Sequence, residues 1–147
     1  MNRRKINFIK EEMKKLKELP TTLDFLDQIY YINLEHRKDR KESILNEIKL
    51  IDPDLKKTTR IEAVEHAIGE IGCGKSHLLA LKDAEKNNYG IVLILEDDFK
   101  FSKDIQTVNY IYEKLLDVDK DYNIFLLSRN LKGGKRKNHN IIEVQNA

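Results

Sequence analysis

The chain has 147 residues, 40% of them apolar and 35% charged, with a formal net charge of +2. That length suits one domain with a modest core, or a piece of a larger one. The charge balance removes any global attraction to nucleic acid, the single cysteine (Cys73) excludes a disulfide within the chain, and no apolar run reaches the length of a membrane span.

Two basic stretches, "NRRK" and "KGGKRKN", lack interleaved aromatics and read as solvated ends or loops. The amino terminus is basic without an apolar stretch behind it, so no secretory signal is read, and a cytoplasmic location is the expectation.

From Asn2 to Leu19, Ile6, Ile9, Met13, Leu16 and Leu19 recur at three- and four-residue spacing, which predicts an amphipathic helix ended by Pro20. This helix over residues 1–20 is set apart from a main domain over 21–147, and it either packs on that domain or docks on a partner chain. "QIYYINL" (Gln28–Leu34) reads as a strand. A helix follows, with Ile44, Leu45, Ile48 and Ile51 on one face and Asp52-Pro53 as its stop. Thr58–Val64 is a short strand. From Ser76 a further helix places Leu78, Leu81 and Ala84 together, with Gly90 after its end. "IVLIL" (Ile91–Leu95) is the strongest strand, Asp104–Asp119 is a helix, and Tyr122–Ser128 and Asn140–Gln145 are further strands. Strands alternating with helices indicate an α/β fold with a mostly parallel sheet flanked by helices.

Glu96, Asp97 and Asp98 fall directly at the carboxyl end of "IVLIL". Open α/β sheets collect ligands at that edge. Alternation along extended chain turns Glu96 and Asp98 to one side and Asp97 to the other. Two neighbouring carboxylates repel unless a cation lies between them, and Mg2+ or Mn2+ takes such ligands together with substrate phosphates. A solvated acidic loop is the alternative reading of the same triplet.

Gly69–Ser76 (GEIGCGKS) also satisfies the phosphate-cradling pattern GxxxxGK[ST], which suggests a P-loop hydrolase or kinase. That pattern needs a buried strand running into its first glycine, and here "EAVEHAI" is interrupted by Glu65 and His66. A third reading is a non-catalytic interaction module acting through the amino-terminal helix.

Three segments fit one family. "YYINLEHRKDR", "GEIGCGKSHLLAL" and "VLILEDDFKF" occur in order, and together they resemble glycosyltransferase family 25 over about Ile29–Asn130. The resemblance implies a Rossmann-like glycosyltransferase A-type fold and an enzyme that moves a hexose, galactose or glucose, from a UDP-sugar to a hydroxyl on a glycan or protein. It implies Mn2+ or Mg2+ held by Asp98 with Glu96, and Asp97 beside them. Asn33, Arg37, Asp39 and Arg40, on the turn after the first strand, become candidates for nucleoside and diphosphate contacts; a guanidinium offers a fixed fork of donors for phosphate. Arg37, Asp39 and Arg40 also fit a solvated helix start. Within this pattern Gly74 and Lys75 occupy variable positions, His77 reads as a structural hydrogen-bonding residue, and Cys73 as a small buried one.

The family continues well past its acidic motif, whereas about fifty residues follow Asp98 here. The expectation is a piece of a longer protein, a naturally short homologue or one half of an assembly. Inverting transfer needs a general base near the acceptor hydroxyl, and no residue is nominated for it. The last strand is expected to be an unpaired edge, which invites homodimer formation.

Overall fold

A computed structural model describes residues 3–101, 104–118, 124, 135–136 and 142–143. In chain order the elements are α1 (Arg3–Glu18), β1 (Gln28–Asn33), α2 (Lys38–Ile48), β2 (Thr58–Glu62), α3 (Gly69–Lys86), β3 (Val92–Glu96), α4 (Ile105–Val118), β4 (Lys135–Arg136) and β5 (Ile142–Glu143). They fall into two compact units, residues 20–105 and residues 1–19 with 106–147. The amino-terminal helix falls in the second of these units.

The 20–105 unit is built on a parallel sheet in the order β2-β1-β3, with Ile29 opposite Thr58 on one side and Leu93 on the other. All six residues of β1 are buried, as befits a central strand covered on both faces. On one face Tyr30 packs with Ala80 and Ala84 of α3, edged by Ile61, Val92 and Ile94. α2 also contacts β1 and buries Ile44 and Ile48 completely.

α3 differs from expectation in two ways. It begins at Gly69, seven residues before Ser76. Its buried stripe is Gly72, Ser76, Ala80 and Ala84, while Leu78 and Leu81 are about half exposed. Residues four apart share a helix face, and this face carries only small side chains, which brings the helix backbone close to its neighbours. A Cβ at Gly72 would lie 2.5 Å from the Val64 carbonyl oxygen. The Ser76 hydroxyl donates to the Gly72 carbonyl at 2.8 Å and accepts from the Val64 N–H at 2.8 Å, which ties the first turns of α3 to the chain leaving β2. The helix ends at Lys86, and Asn88 takes the left-handed conformation (φ 56°) ahead of Gly90.

Two acids align the strands. Asp27 Oδ2 accepts the N–H groups of Gly90 and Ile91 at 2.7 and 2.9 Å, which lowers its pKa and seats the start of β3. Buried Asp52 accepts from the N–H groups of Lys56 and Lys57 and from the Thr58 hydroxyl, and so shapes the approach to β2.

In the other unit, α1 uses its apolar stripe only in part. Ile6, Leu16 and Leu19 are half-buried, but Ile9 and Met13 are exposed. The Tyr110 hydroxyl of α4 donates to Glu12, which pushes the phenol up to about 12 and lowers the carboxyl. β5 pairs antiparallel with β4 in a two-stranded sheet, so part of the basic stretch is a strand and the last strand is an edge, as expected. Apart from Ile124, the strand expected over Tyr122–Ser128 lies outside the described residues. Among the described residues, no helix is long and apolar enough to cross a membrane.

Candidate functional site

The strand order sets the location of the site. The chain steps from β1 to β2 on one side, then passes over β1 to β3 on the other. A sheet that reverses direction in this way opens a crevice at the carboxyl ends of the two strands flanking the switch, here β1 and β3. Asn33 is the last residue of β1, and Glu96 is the last residue of β3.

The two strand ends are joined by side chains. Asn33, 1% exposed, donates from Nδ2 to Asp97 Oδ2 at 2.8 Å and to the Arg37 carbonyl at 3.1 Å. Arg40 Nη1 lies 3.0 Å from Asp97 Oδ1 and 3.7 Å from Asp98 Oδ2. Both oxygens of buried Asp97 are thus committed to protein donors, one neutral and one cationic. Arg60 braces the other side of Asn33, donating to its carbonyl at 3.0 Å while pairing with Glu35 at 2.8 Å. Asp97 is a keystone between β1, the start of α2 and the tip of β3.

Arg37 and Asp39 engage each other. The guanidinium donates twice to the carboxylate, at 3.0 and 2.9 Å, on the exposed start of α2. This bidentate pair holds the Asp39 carboxyl down to about 2 and raises Arg37. The structure therefore brings Asn33, Arg40, Asp97 and Asp98 together and leaves Arg37 and Asp39 as a self-contained pair beside them.

Glu96 and Asp98 remain exposed, and the Asp98 side chain is 63% accessible. Each offers hard oxygen donors, the chemistry that Mg2+ or Mn2+ selects. The exposed oxygens of Asp98 suit such an ion, while the Glu96 carboxylate is engaged by Cys73. Glu96 turns away from Asp97, as alternation predicts, and its Oε1 accepts from the Cys73 thiol at 3.4 Å; Asp98, expected on the Glu96 side, instead lies with Asp97 at Arg40 because the chain leaves the strand after Glu96. Cys73 is exposed rather than buried, and desolvation together with the Glu96 carboxylate pushes its thiol up, away from nucleophilic character. His77 Nδ1 stands 3.0 Å from the Cys73 carbonyl and 3.6 Å from its sulfur.

The GxxxxGK[ST] match is not a phosphate loop. Gly69–Ser76 forms the first two turns of α3, β2 ends seven residues before Gly69, and the Ser76 hydroxyl is occupied by backbone on both sides. A phosphate cradle needs free N–H groups in a loop. The glycine and serine that made the motif conspicuous serve helix packing instead.

Comparison with known proteins agrees with this geometry. The family model for glycosyltransferase family 25 (LPS biosynthesis protein) matches residues 49–146 and takes in both the Gly72–His77 and Glu96–Asp98 segments. Procollagen galactosyltransferase 1-B of Xenopus laevis is 26% identical over 110 aligned residues, covering 58% of this chain and 18% of that protein. The chain thus spans about a fifth of the length of the curated relative it matches. No solved structure shows a significant match. The family match extends over two-thirds of the chain, and the chain belongs to glycosyltransferase family 25.

Proposed function

We propose that the 20–105 unit is the nucleotide-sugar-binding part of a glycosyltransferase A-type enzyme. It takes a UDP-hexose, galactose or glucose, and passes the sugar to a hydroxyl on a glycan or protein. The observation that carries this reading is the Asn33–Asp97–Arg40 cluster closing the carboxyl ends of β1 and β3, with Asp98 and Glu96 exposed at its rim. The family match and the name of the galactosyltransferase relative support the reaction class and the sugar.

The roles follow from what each side chain is free to do. Asp97 positions Arg40 by a direct ion pair. Arg40 is 40% accessible and has donors to spare for a diphosphate oxygen. Asp98 holds Mn2+ or Mg2+ together with oxygens of the diphosphate. When bound, that ion offsets the negative charge that develops on the departing nucleoside diphosphate. Asn33 stays behind the cluster as a brace, because its amide is already shared between Asp97 and Arg37.

Saturation-transfer NMR with UDP-galactose, UDP-glucose and GDP-mannose, with and without Mn2+, tests the reading. The proposal predicts Mn2+-dependent contact with the UDP-sugars, lost in Asp98→Asn. Equal signals for GDP-mannose, or signals indifferent to both Mn2+ and Asp98→Asn, would overturn it.

A further inference from the structure

The acidic cluster leaves one group of side chains without a role. Cys73 and His77 are four residues apart on α3 and share a face. Glu96 ends β3 and reaches the same point. One potential ligand atom from each lies within 4.8 Å of the other two. A thiol, an imidazole and a carboxylate meeting in this way differ in kind from the all-oxygen set at Asp98. We propose that Cys73, His77 and Glu96 form a separate site for a borderline-soft divalent ion of the zinc class, with a fourth position open to solvent.

The distances fit that ion. Zinc binds sulfur at about 2.3 Å and imidazole nitrogen or carboxylate oxygen at about 2.0–2.2 Å, so a tetrahedral angle places sulfur about 3.5 Å from the nitrogen or oxygen. The Cys73 sulfur lies 3.6 Å from His77 Nδ1 and 3.4 Å from Glu96 Oε1. The remaining edge closes by a small turn of the exposed Glu96 carboxylate. On binding, Cys73 gives its thiol proton to solvent, and His77 carries its proton on Nε2 instead of directing Nδ1 at the Cys73 carbonyl. Soft sulfur and imidazole select zinc-class ions, whereas a hard carboxylate set suits Mg2+ and Mn2+. Three protein ligands with the fourth position open is the pattern of zinc sites that bind a water or an outside ligand. The ion would also clip the second turn of α3 to the tip of β3, beside the proposed donor site. With Glu96 engaged here, the donor-site metal rests on Asp98 and the diphosphate, which is enough for a hard cation. The proposal does not depend on the transferase reading.

Titration of the metal-free chain with Co2+, followed by competition with Zn2+, tests it directly. The expected result is one equivalent of Co2+ with a thiolate-to-cobalt charge-transfer absorption, displaced by Zn2+. Cys73→Ser should abolish that absorption. Loss of an outer partner alone lowers zinc affinity about 10–100-fold, so His77→Ala and Glu96→Gln should each cost at least that much. Asp98→Asn should leave the Co2+ spectrum unchanged. As a check independent of variant folding, Zn2+ but not Mg2+ should protect the Cys73 thiol of the unaltered chain from alkylation. Absence of the charge-transfer band, or Co2+ binding unaltered in Cys73→Ser, would overturn the proposal. So would equal protection by Mg2+, or loss of the band in Asp98→Asn.

Discussion

Gly72→Ala is the sharpest single test of how the family segment is used. Its new methyl would stand 2.5 Å from the Val64 carbonyl oxygen, where ordinary contacts begin at 3.4 Å, so about 0.9 Å of movement is needed. Val64 cannot yield freely, because its N–H is held by Ser76, whose hydroxyl is tied back to the Gly72 carbonyl. Overpacking of this kind costs about 1–3 kcal/mol, and straining the Ser76 bridge adds about 1 kcal/mol. The alanine returns about 0.5–1 kcal/mol through helix propensity. The net expectation is a loss of about 1–3 kcal/mol. Gly74, two residues on in the same helix, faces open space: a Cβ there would meet nothing within 4 Å, so Gly74→Ala should gain about 0.5–1 kcal/mol. Urea unfolding followed by far-ultraviolet circular dichroism measures both. Equal effects of the two substitutions, or a stable Gly72→Ala, would refute the close approach and with it the packing role assigned to the segment.

Ser76→Ala should destabilise by about 1–3 kcal/mol, because the Val64 N–H loses its acceptor, whereas Lys75→Ala, at an exposed position, should stay within about 0.5 kcal/mol and leave nucleotide binding unchanged in calorimetry. Arg40→Met should cost about 1–2 kcal/mol by leaving the Asp97 carboxylate without its cation, discounted for the partial exposure of Arg40; Asp97→Asn in the Arg40→Met background should recover part of it in a double-mutant cycle. Tyr30 has its phenol pKa raised by burial and then by its hydrogen bond to Asp83. The folded chain thus keeps a proton that the unfolded chain releases near pH 10, so this contribution is complete below that pH and is lost as pH rises above it. Tyr30→Phe should flatten, though not abolish, the alkaline fall in urea midpoint, since burial also raises Tyr31.

Much of this fold is legible in the residues. β1 and β3 announce themselves through short apolar runs, β2 through its β-branched Thr58, Thr59 and Ile61, and α2 and α4 through their periodicity. The carboxyl end of "IVLIL" points to the site because strand polarity alone puts Glu96–Asp98 on the ligand-binding edge. The start and the buried face of α3 are not legible in the same way. Its buried stripe is glycine, serine and alanine, which carry no hydrophobic signal, while its leucines face outward. The division of labour among the acids is hidden for a different reason. Alternation separates Asp97 from Glu96, but only the turn after β3 reveals that Asp98 shares Arg40 with Asp97. The pairing of Arg37 with Asp39 is likewise a local choice of rotamers at a helix start. Cys73 and His77 are visible at helical spacing, yet their third partner is a residue that β3 delivers from 19 positions beyond His77.

Calorimetric titration of UDP into the chain, with and without Mn2+, tests the central claim most directly. The account predicts UDP binding that requires Mn2+, collapses in Asp98→Asn and is indifferent to Lys75→Ala. Binding of ATP with Mg2+ that disappears in Lys75→Ala, or UDP binding unaffected by both Mn2+ and Asp98→Asn, would contradict it.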